Sequence, residues 1–345
     1  MLPEMFSRRS FLKGLGLCGA GLAVGGLACP DEANAARSDR WRARLHDETR
    51  LLMGTIVRIT VSRASKDQAE QGMGLAFAEM DRLTALFDRH RSGTVIATLN
   101  ERQSLSDAPL EFVRLVETAQ GYSRVTGQAF DMTVQPVLDL MARHGNPKGE
   151  MRLSQSELAE ALALVDSRGV QVSGGIISFD RSGMGITLDG VAKGHIVDQA
   201  ARILEEQGLN HYVINAGGDI RCSGEKRPGA AWTVAVEDPS KQGNYQAVIS
   251  MTSGAIATSG GYERYFDKDR EHTHLLMPST GESPRDCVSV TVKAPTAMQA
   301  DALATSLSVM PQEAALQLVN TLSECECLFV MRNGSRVASR NWKMI

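Results

Sequence analysis

The sequence predicts an α+β fold in which helices pack on a mixed, mostly antiparallel sheet. In the first half of the chain, apolar residues recur at helical spacing, as at Met73, Phe77 and Met80. In the second half, short β-prone segments are interrupted by only two helical patterns. With 345 residues, of which 43% are hydrophobic, the chain is long enough to bury an ample core in one large domain or two.

Three amphipathic helices and a strand are expected in the first half of the chain. Residues 51–61 are rich in β-branched side chains and predict the strand. Residues 68–87 and 110–125 carry apolar side chains on one helical face. Ser154 followed by Glu157 has the spacing of a capping box, which indicates the start of the third helix.

The second half predicts more strands than helices. Helical patterns cover residues 191–206 and 297–309. Strands are expected at residues 176–179, 185–188, 212–215, 232–236, 247–251, 288–292 and 328–331.

Charge and aromatic content exclude two classes of nucleic-acid binder. The net charge of -3 leaves no general surplus of basic groups to displace counterions from a phosphate backbone. The aromatic fraction of 5% is too low for a platform on which single-stranded bases would stack.

The first 35 residues predict an export signal that is not part of the fold. Arg8 and Arg9 precede a glycine- and leucine-rich stretch over residues 14–28, and Ala33-Asn34-Ala35 offers small residues for cleavage. The paired arginines, followed by Phe-Leu-Lys, resemble a twin-arginine signal. This resemblance predicts a periplasmic protein with one functional domain over residues 36–345.

Two alternatives for the N-terminus remain open at the level of sequence. A membrane anchor is disfavoured because the apolar stretch is short and rich in glycine. A lipoprotein anchor at Cys29 is disfavoured because Gly26 stands where a lipobox has leucine.

Two polar segments are candidates for a functional site, each with a plainer alternative. Asp131 and Thr133 follow Gly127, which suits a helix C-cap, and on residue chemistry alone they favour a turn with a side-chain hydrogen bond. Asn215 to Asp219 places two glycines and an acid after a strand, which suits either a tight hairpin or a close ligand approach.

The segment from Asp189 to Asp198 joins a predicted strand to a helix. Asp189 is expected at the N-cap, where its carboxylate would accept free backbone N–H groups. Lys193 and His195 would then lie in the first turns, where a helix end attracts anions such as phosphate. A surface lysine and an incidental histidine are the alternative.

Asp301 and Thr305 are four residues apart on a predicted helix, so a carboxylate and a hydroxyl share one face. Both are hard oxygen donors of the kind that Mg²⁺ prefers. The alternative is that the Thr305 hydroxyl bonds back to the Asp301 carbonyl, and for the pair taken alone it is the favoured one.

Taken in order, these segments resemble the ApbE family of flavin transferases, which move FMN from FAD onto a protein. The resemblance covers essentially the whole chain after residue 35 and, through the twin-arginine signal, extends to the exported NosX-like branch. The stretches that carry it are Met53-Gly54-Thr55, the Ser92 to Asn100 loop, and residues 127–133, 189–198, 215–219, 257–266, 274–281 and 300–305.

The resemblance implies a role for each matching residue. The metal ligands for Mg²⁺ would be the Ala192 carbonyl, the Asp301 carboxylate and the Thr305 hydroxyl, and residues 215–219 would shape the cleft. His274 would be the catalytic base, with Asp301 as a second catalytic residue. The FAD site would be lined by Met53, Ala129, Phe130, Asp131, Asp189, Lys193, His195 and Leu276.

The resemblance also implies a fold and an activity. The fold would be ApbE-like and related to the T-fold, with an FAD cleft between two lobes. The activity would be Mg²⁺-dependent transfer of FMN from FAD to a Thr or Ser of an exported or membrane respiratory flavoprotein, such as a NosR-like or Rnf/Nqr-like subunit, with release of AMP. The alternatives are an FAD pyrophosphatase that forms FMN and AMP, or a non-catalytic periplasmic FAD-binding assembly factor.

One segment departs from the family pattern. Where the family has His-Ile-Ile-Asp-Pro-Arg-Thr-Gly, this chain reads His274-Leu275-Leu276-Met277-Pro278-Ser279-Thr280-Gly281. Met277 replaces an acid and Ser279 replaces a guanidinium. If the family's acid orients the histidine or binds a second metal, this chain must do so in a different or weaker way. The replacement does not change Asp301 or Thr305.

Overall fold

The computed structural model describes residues 45–239 and 244–343. The signal and anchor hypotheses for residues 1–35, and the first residues of the domain expected from residue 36, lie outside this part of the chain. All the described residues belong to one compact unit.

An eight-stranded antiparallel sheet forms the centre of the fold, in the order β1-β2-β6-β7-β10-β11-β12-β13. Two smaller sheets join β3 to β5 to β4 and β8 to β9. The strands are β1 Leu45–Leu52, β2 Thr55–Ser62, β3 Ser104–Leu105, β4 Val170–Ser173, β5 Ile176–Phe179, β6 Tyr212–Ala216, β7 Asp219–Ser223, β8 Trp232–Glu237, β9 Tyr245–Met251, β10 Ser253–Gly260, β11 Cys287–Ala294, β12 Glu326–Met331 and β13 Arg336–Ala338.

Eight α-helices are present in the described residues. The helices are α1 Lys66–Phe87, α2 Val95–Arg102, α3 Leu110–Val125, α4 Gln135–His144, α5 Gln155–Leu162, α6 Ala192–Glu206, α7 Ala297–Val309 and α8 Gln312–Thr321. Helix α1 packs on α6, α6 packs on α7, and α7 packs on β10 and β11. Their apolar faces bury the main core between helices and sheet.

The opposite face of the sheet is covered in part by the β8–β9 hairpin. Trp232 and Val234 from β8 pack with Ile249 from β9 and with Val213 and Cys222 from the sheet. The helices on the first face, in contrast, bring polar side chains to the ends of the strands, and these chain segments form the site described below.

The predicted fold class is confirmed, with four local corrections. The expected loop from Ser92 to Asn100 is wrong in part, because Val95–Arg102 form α2. Residues 51–61 are wrong as one strand, because Met53 and Gly54 adopt positive φ and turn the chain between β1 and β2. Residues 185–188 form no regular strand. Ser154 precedes α5, but its hydroxyl contacts Ser156 and caps no backbone N–H. No helix in the described residues is long and apolar enough to cross a membrane.

Candidate active site

Two hairpin turns lie side by side at one end of the sheet. Met53 and Gly54 join β1 to β2, and Gly217 and Gly218 join β6 to β7, all four with positive φ. Two successive residues of this kind match the tight hairpin geometry that twisted strands favour. A Cβ on Gly217 would lie 2.3 Å from Thr55 Oγ1, so only glycine fits there.

The predicted tight hairpin at residues 215–219 is therefore confirmed. Asn215 closes the turn, because its Oδ1 accepts the Gly218 N–H at 3.1 Å. Ala216 pairs with Asp219 across the two-residue turn. This register places Asp219 at the first position of β7, where its side chain is almost fully buried.

The start of α6 differs from the expectation. The prediction that Asp189 caps this helix is wrong, because α6 begins at Ala192 and Val191 occupies the N-cap without a side-chain bond. The Asp189 carboxylate instead pairs with Arg89, whose Nε lies 2.8 Å from Oδ2. Asp189 stands two residues before the N-cap. Its carboxylate therefore does not cap the helix and is bound by the Arg89 guanidinium.

A deep cluster forms where α6, α7 and β7 meet, and it consists of Lys193, Asp219 and Asp301. Lys193 Nζ lies 2.9 Å from Asp219 Oδ2. The Gly194 N–H donates to Asp301 Oδ2 at 3.1 Å. Asp219 and Asp301 are only 1% and 5% exposed, so the cluster places two acids and one ammonium in a largely dry environment.

Burial dominates the electrostatics of the deep cluster. It raises the pKa of Asp219 against the opposing charge of Lys193. It also raises the pKa of Asp301 well above its usual value, and the neighbouring Asp219 adds to that rise. Burial lowers the pKa of Lys193, but the two carboxylates outweigh it and the net pKa is raised. One ammonium therefore balances only one of the two acids when both are ionised.

Thr305 faces the same corner of the molecule as Asp301. Its Oγ1 lies 3.4 Å from Ser259 Oγ at the end of β10, so the structure does not place it on the Asp301 carbonyl. A Cβ on Gly190 would approach Thr305 Oγ1 to 3.2 Å and Phe130 to 3.0 Å. Asp301 and Thr305 thus both border the segment that leads into α6.

An outer cluster lies on loops beside the deep cluster and consists of Arg89, Asp189, Arg264 and His274. Arg89 is 7% exposed and also lies 3.9 Å from Asp139, whereas the Asp189 side chain is 51% exposed. Burial alone would raise the pKa of Asp189, but Arg89 outweighs it and the pKa is lowered. Asp189 is therefore ionised near neutral pH.

The imidazole of His274 is held by the backbone of Arg264. The backbone nitrogen of His274 and its ring Nδ1 each lie 3.1 Å from the Arg264 carbonyl oxygen. Because that oxygen can only accept, Nδ1 carries the proton and Nε2 keeps its lone pair in the neutral ring. Burial lowers the pKa of His274. The hydrogen bond to the Arg264 carbonyl raises this pKa, the Arg264 charge lowers it, and the charges of Asp189 and Glu263 raise it, so burial sets the net direction.

The two clusters are close enough to influence each other. Asp189 of the outer cluster precedes Gly190, where a Cβ would lie 3.2 Å from Thr305 Oγ1. Thr305 is one helical turn from Asp301 of the deep cluster. The outer cluster is thus adjacent to the buried acids, and the two together form one candidate site. His274 lies on an irregular segment between β10 and β11.

Other predicted site residues have their contacts elsewhere. Asp131 accepts bonds from the Thr133 and Ser167 N–H groups at 2.8 and 3.0 Å, which confirms the predicted side-chain turn. The ring of His195 stands edge-on to Phe87 at 5.8 Å, and its charged neighbours are Glu111 and Glu79. The contacts described for Asp131 and His195 join neither cluster.

The remaining predicted residues are apolar or backbone groups. Phe130 approaches Gly190 beside Thr305, and the Ala129 N–H donates to the Thr126 carbonyl. Met53 packs on the main core from its turn. Leu276 is buried in a separate cluster with α4 residues. Ala192 is the first residue of α6, next to Lys193.

The segment that departs from the family pattern forms a turn. The Met277 carbonyl accepts the N–H groups of Thr280 and Gly281 at 3.2 and 2.8 Å, and Gly281 has φ 71°. Ser279 lies within this turn. The chain thus forms a tight turn after His274 although Met277 and Ser279 replace the acid and the guanidinium of the family pattern.

Sequence reasoning missed several residues of this site. Arg89 and Arg264 carry no local signal, because a loop arginine is not distinguishable from a solvated one until its partner is known. The Gly-Gly-Asp motif indicated the place of Asp219 but not its ion pair with Lys193. Ser259 lay within a segment that matched the family and had no assigned role.

The chemistry of the deep cluster fits a divalent cation. No three His, Cys, Asp or Glu side chains converge on a metal position in residues 45–239 and 244–343. A cation would therefore rely on few carboxylates together with hydroxyl and backbone oxygens, which suits Mg²⁺. Asp219 Oδ2 has the Lys193 ammonium 2.9 Å away without a hydrogen bond of good geometry, so a single positive charge serves two buried acids.

Comparisons with known proteins bear on the family and the fold. The model of the ApbE family matches residues 53–329. A FAD:protein FMN transferase of Vibrio cholerae is 35% identical over 58% of this chain and 60% of its own length. The crystal structure of the ApbE protein of Thermotoga maritima has a TM-score of 0.77 at 31% identity and covers 86% of this chain and 97% of that one. The flavin transferase ApbE of Vibrio cholerae has a TM-score of 0.74 at 26% identity, with 86% and 98% covered.

Proposed function

The chain belongs to the ApbE family, and from this membership and the site geometry we propose that it is a FAD:protein FMN transferase. It attaches FMN through a phosphoester to a Thr or Ser of an exported or membrane respiratory flavoprotein and releases AMP. The observation that carries the proposal is the buried pair Asp219 and Asp301, balanced by the single ammonium of Lys193 beside the start of α6.

Mg²⁺ is the proposed metal, held by the Asp301 carboxylate, the Thr305 hydroxyl and the Ala192 carbonyl. When bound, it supplies neutralisation of the negative charge that a diphosphate carries and develops during transfer. The raised pKa of the Asp301 carboxyl, caused first by burial and then by Asp219, supports this assignment, because a cation would relieve both causes.

FAD is proposed to bind across the start of α6. The Lys193 ammonium and the positive end of the helix dipole favour an anion at that point. Gly190 lets Phe130 and Thr305 pack against the segment that leads into α6, since a Cβ there would lie 3.0 and 3.2 Å from them. Met53, Ala129, Phe130, Asp131, Asp189, His195 and Leu276 are retained as proposed FAD-lining residues.

His274 is proposed to accept the proton of the acceptor hydroxyl at Nε2. Its lowered pKa, caused mainly by burial, keeps the ring neutral near pH 7, so that the lone pair is available. The acceptor oxygen forms a bond to the FMN phosphorus, and the bond from that phosphorus to the bridging oxygen breaks. The electron pair leaves with AMP, and no covalent enzyme intermediate is needed.

Export through a twin-arginine signal, and hence a periplasmic location, is part of the proposal. It rests on Arg8, Arg9 and the small residues Ala33 and Ala35. The NosX-like branch and a NosR-like or Rnf/Nqr-like acceptor are proposed on the same ground.

The test is transfer itself. The purified chain is incubated with FAD, Mg²⁺ and a NosR-like acceptor, and the acceptor is analysed by intact-mass and peptide mass spectrometry. FMN on a Thr or Ser, together with release of AMP, supports the transferase. Rapid release of AMP without an acceptor would instead favour a pyrophosphatase, and tight FAD binding without any AMP would favour an assembly factor.

A further inference from the structure

One face of α6 packs directly against the first turn of α7. Gly194 and Asp198 are four residues apart on α6 and so share a face. Ala297, Asp301 and Thr305 follow the same spacing on α7. A Cβ on Gly194 would lie 2.4 Å from the Ala297 carbonyl oxygen, so the two helices are in direct backbone contact at this point.

Asp198 adds a second cap to α7, beside the helix's own N-cap residue Thr296. The first N–H groups of a helix have no partner within it. Asp198 Oδ1 accepts the Ala297 N–H and Oδ2 accepts the Met298 N–H, both at 2.9 Å. Thr296, the N-cap residue of α7, accepts only the Gln299 N–H, at 3.2 Å. No acidic residue of α7 lies in its first turn.

The Asp198 carboxylate is itself held in place. Its side chain is 18% exposed, and Arg221 Nε from β7 lies 3.8 Å from Oδ1. The Arg221 guanidinium also donates to the Pro295 carbonyl just before α7. Two bonds to successive N–H groups fix both the rotation and the axial position of α7 against α6.

We propose that Asp198 is a positioning residue that sets the register of α7, and thereby the placement of Asp301 and Thr305 opposite the start of α6. The inference rests on the proposed metal role of those two residues. Ala192 and Asp301 lie on different helices, and Asp198 is the side chain that ties these helices together at the cluster. Loss of this tie lets α7 shift while it remains helical.

The test compares two caps of the same helix. Asp198→Ala removes the bonds from α6, whereas the control Thr296→Ala removes the cap within α7. Binding of Mn²⁺ to the full chain in the presence of FAD is followed by the electron paramagnetic resonance signal of free Mn²⁺, and thermal unfolding is recorded for each variant. We expect Asp198→Ala to weaken Mn²⁺ binding by roughly tenfold or more, as loss of a residue that orients metal ligands does.

The control and the conservative variant separate positioning from general stability. Thr296→Ala is expected to lower the unfolding temperature while Mn²⁺ affinity stays unchanged. Asp198→Asn keeps one acceptor oxygen and is expected to lose part of the affinity. If Asp198→Ala does not fold, Asp198→Asn and Gly194→Ala, whose new methyl group must displace α7, decide the question by the same measurement.

Two outcomes overturn the inference for different reasons. Wild-type Mn²⁺ affinity in folded Asp198 variants, with binding still lost in Asp301→Ala, removes the positioning role alone. Mn²⁺ binding that survives in Asp301→Ala removes the metal role of the proposed function, and the inference falls with it.

Discussion

The two charged clusters of the site shift the pKa values of their carboxyl groups in opposite directions. The deep cluster stands on regular elements, with Lys193 on α6, Asp219 on β7 and Asp301 on α7, and burial raises the pKa of both acids. The outer cluster stands on loops, and Arg89 lowers the pKa of a half-exposed Asp189. Ionisation is thus costly in the first cluster and favourable in the second.

The difference indicates a division of roles. A buried pair of acids with one ammonium is less stable than an apolar core of the same shape, and it gains from an added cation. The Arg89–Asp189 pair joins a buried guanidinium to a half-exposed carboxylate, and the exposed side of that carboxylate can hold a substrate group in place. We therefore expect variants of the deep cluster to change metal binding and chemistry, and variants of the outer cluster to change proton transfer and substrate affinity.

The largest effect is expected from Asp301→Asn. The amide removes the anionic ligand, so FMN transfer should fall by roughly 10³-fold. The metal-free protein should unfold at the same temperature or higher, because one of two adjacent buried acids is gone. Transfer is measured by FMN on the acceptor, and stability by calorimetry without metal.

The matched control for this variant is Ser306→Ala on the same helix. Its buried hydroxyl donates only to the Ala302 carbonyl, so transfer should stay near the wild-type rate. Wild-type transfer by Asp301→Asn would contradict the division of roles, because the deep cluster would then have no part in the chemistry.

The next effect concerns His274→Gln, which removes the proposed base. Transfer should fall by about 10² to 10⁴-fold, the usual contribution of a positioned general base. His272→Gln is the control, since His272 pairs with Asp267 at 3.0 Å and lies only two residues away. Equal losses in the two variants would show that local folding, rather than proton transfer, is disturbed.

The pH profile sharpens the same prediction. Burial lowers the pKa of His274 and outweighs the hydrogen bond to the Arg264 carbonyl and the charges of Asp189 and Glu263, which raise it. The neutral ring is the active form, so transfer should stay constant as pH falls from neutral and decline only below the ordinary histidine range. A decline that begins at or above that range would contradict the assignment of His274.

Sequence alone predicts the parts of this comparison that depend on local pattern. The spacing predicts helix α7 at its observed ends, and Gly217-Gly218 indicates either a tight hairpin or a close ligand approach, because spacing and turn chemistry act over a few residues. The partners of charged side chains were not predicted. Arg89 and Asp189 are 100 residues apart, and only the folded sheet and helices bring them together.

A smaller effect is expected on stability from Lys193→Met. The variant leaves Asp219 and Asp301 without their ammonium, so the metal-free protein should lose about 2 kcal/mol of unfolding free energy, less than for a fully buried pair because Lys193 is 30% exposed. Mg²⁺ should restore much of the loss. Denaturant unfolding with and without Mg²⁺ measures both.

Lys293→Met provides the matched control, because Lys293 also lies 3.0 Å from a carboxylate, that of Glu326, and is similarly exposed. That pair contains a single acid, so its loss should be smaller and insensitive to Mg²⁺. Equal behaviour of the two lysine variants would contradict the view that the deep cluster carries surplus negative charge.

The smallest effect is expected from Arg89→Ala in the outer cluster. Without the guanidinium, Asp189 loses the bond to Nε at 2.8 Å, and its exposed carboxylate becomes free to move. The KM for FAD should rise several-fold with little change in kcat, since the variant removes substrate positioning and leaves the buried acids intact. Arg202→Ala, which breaks an exposed pair with Glu206 on α6, should change neither constant. A fall in kcat as large as that of His274→Gln would instead assign the Arg89–Asp189 pair to the chemical step, and the two clusters would then act as one unit.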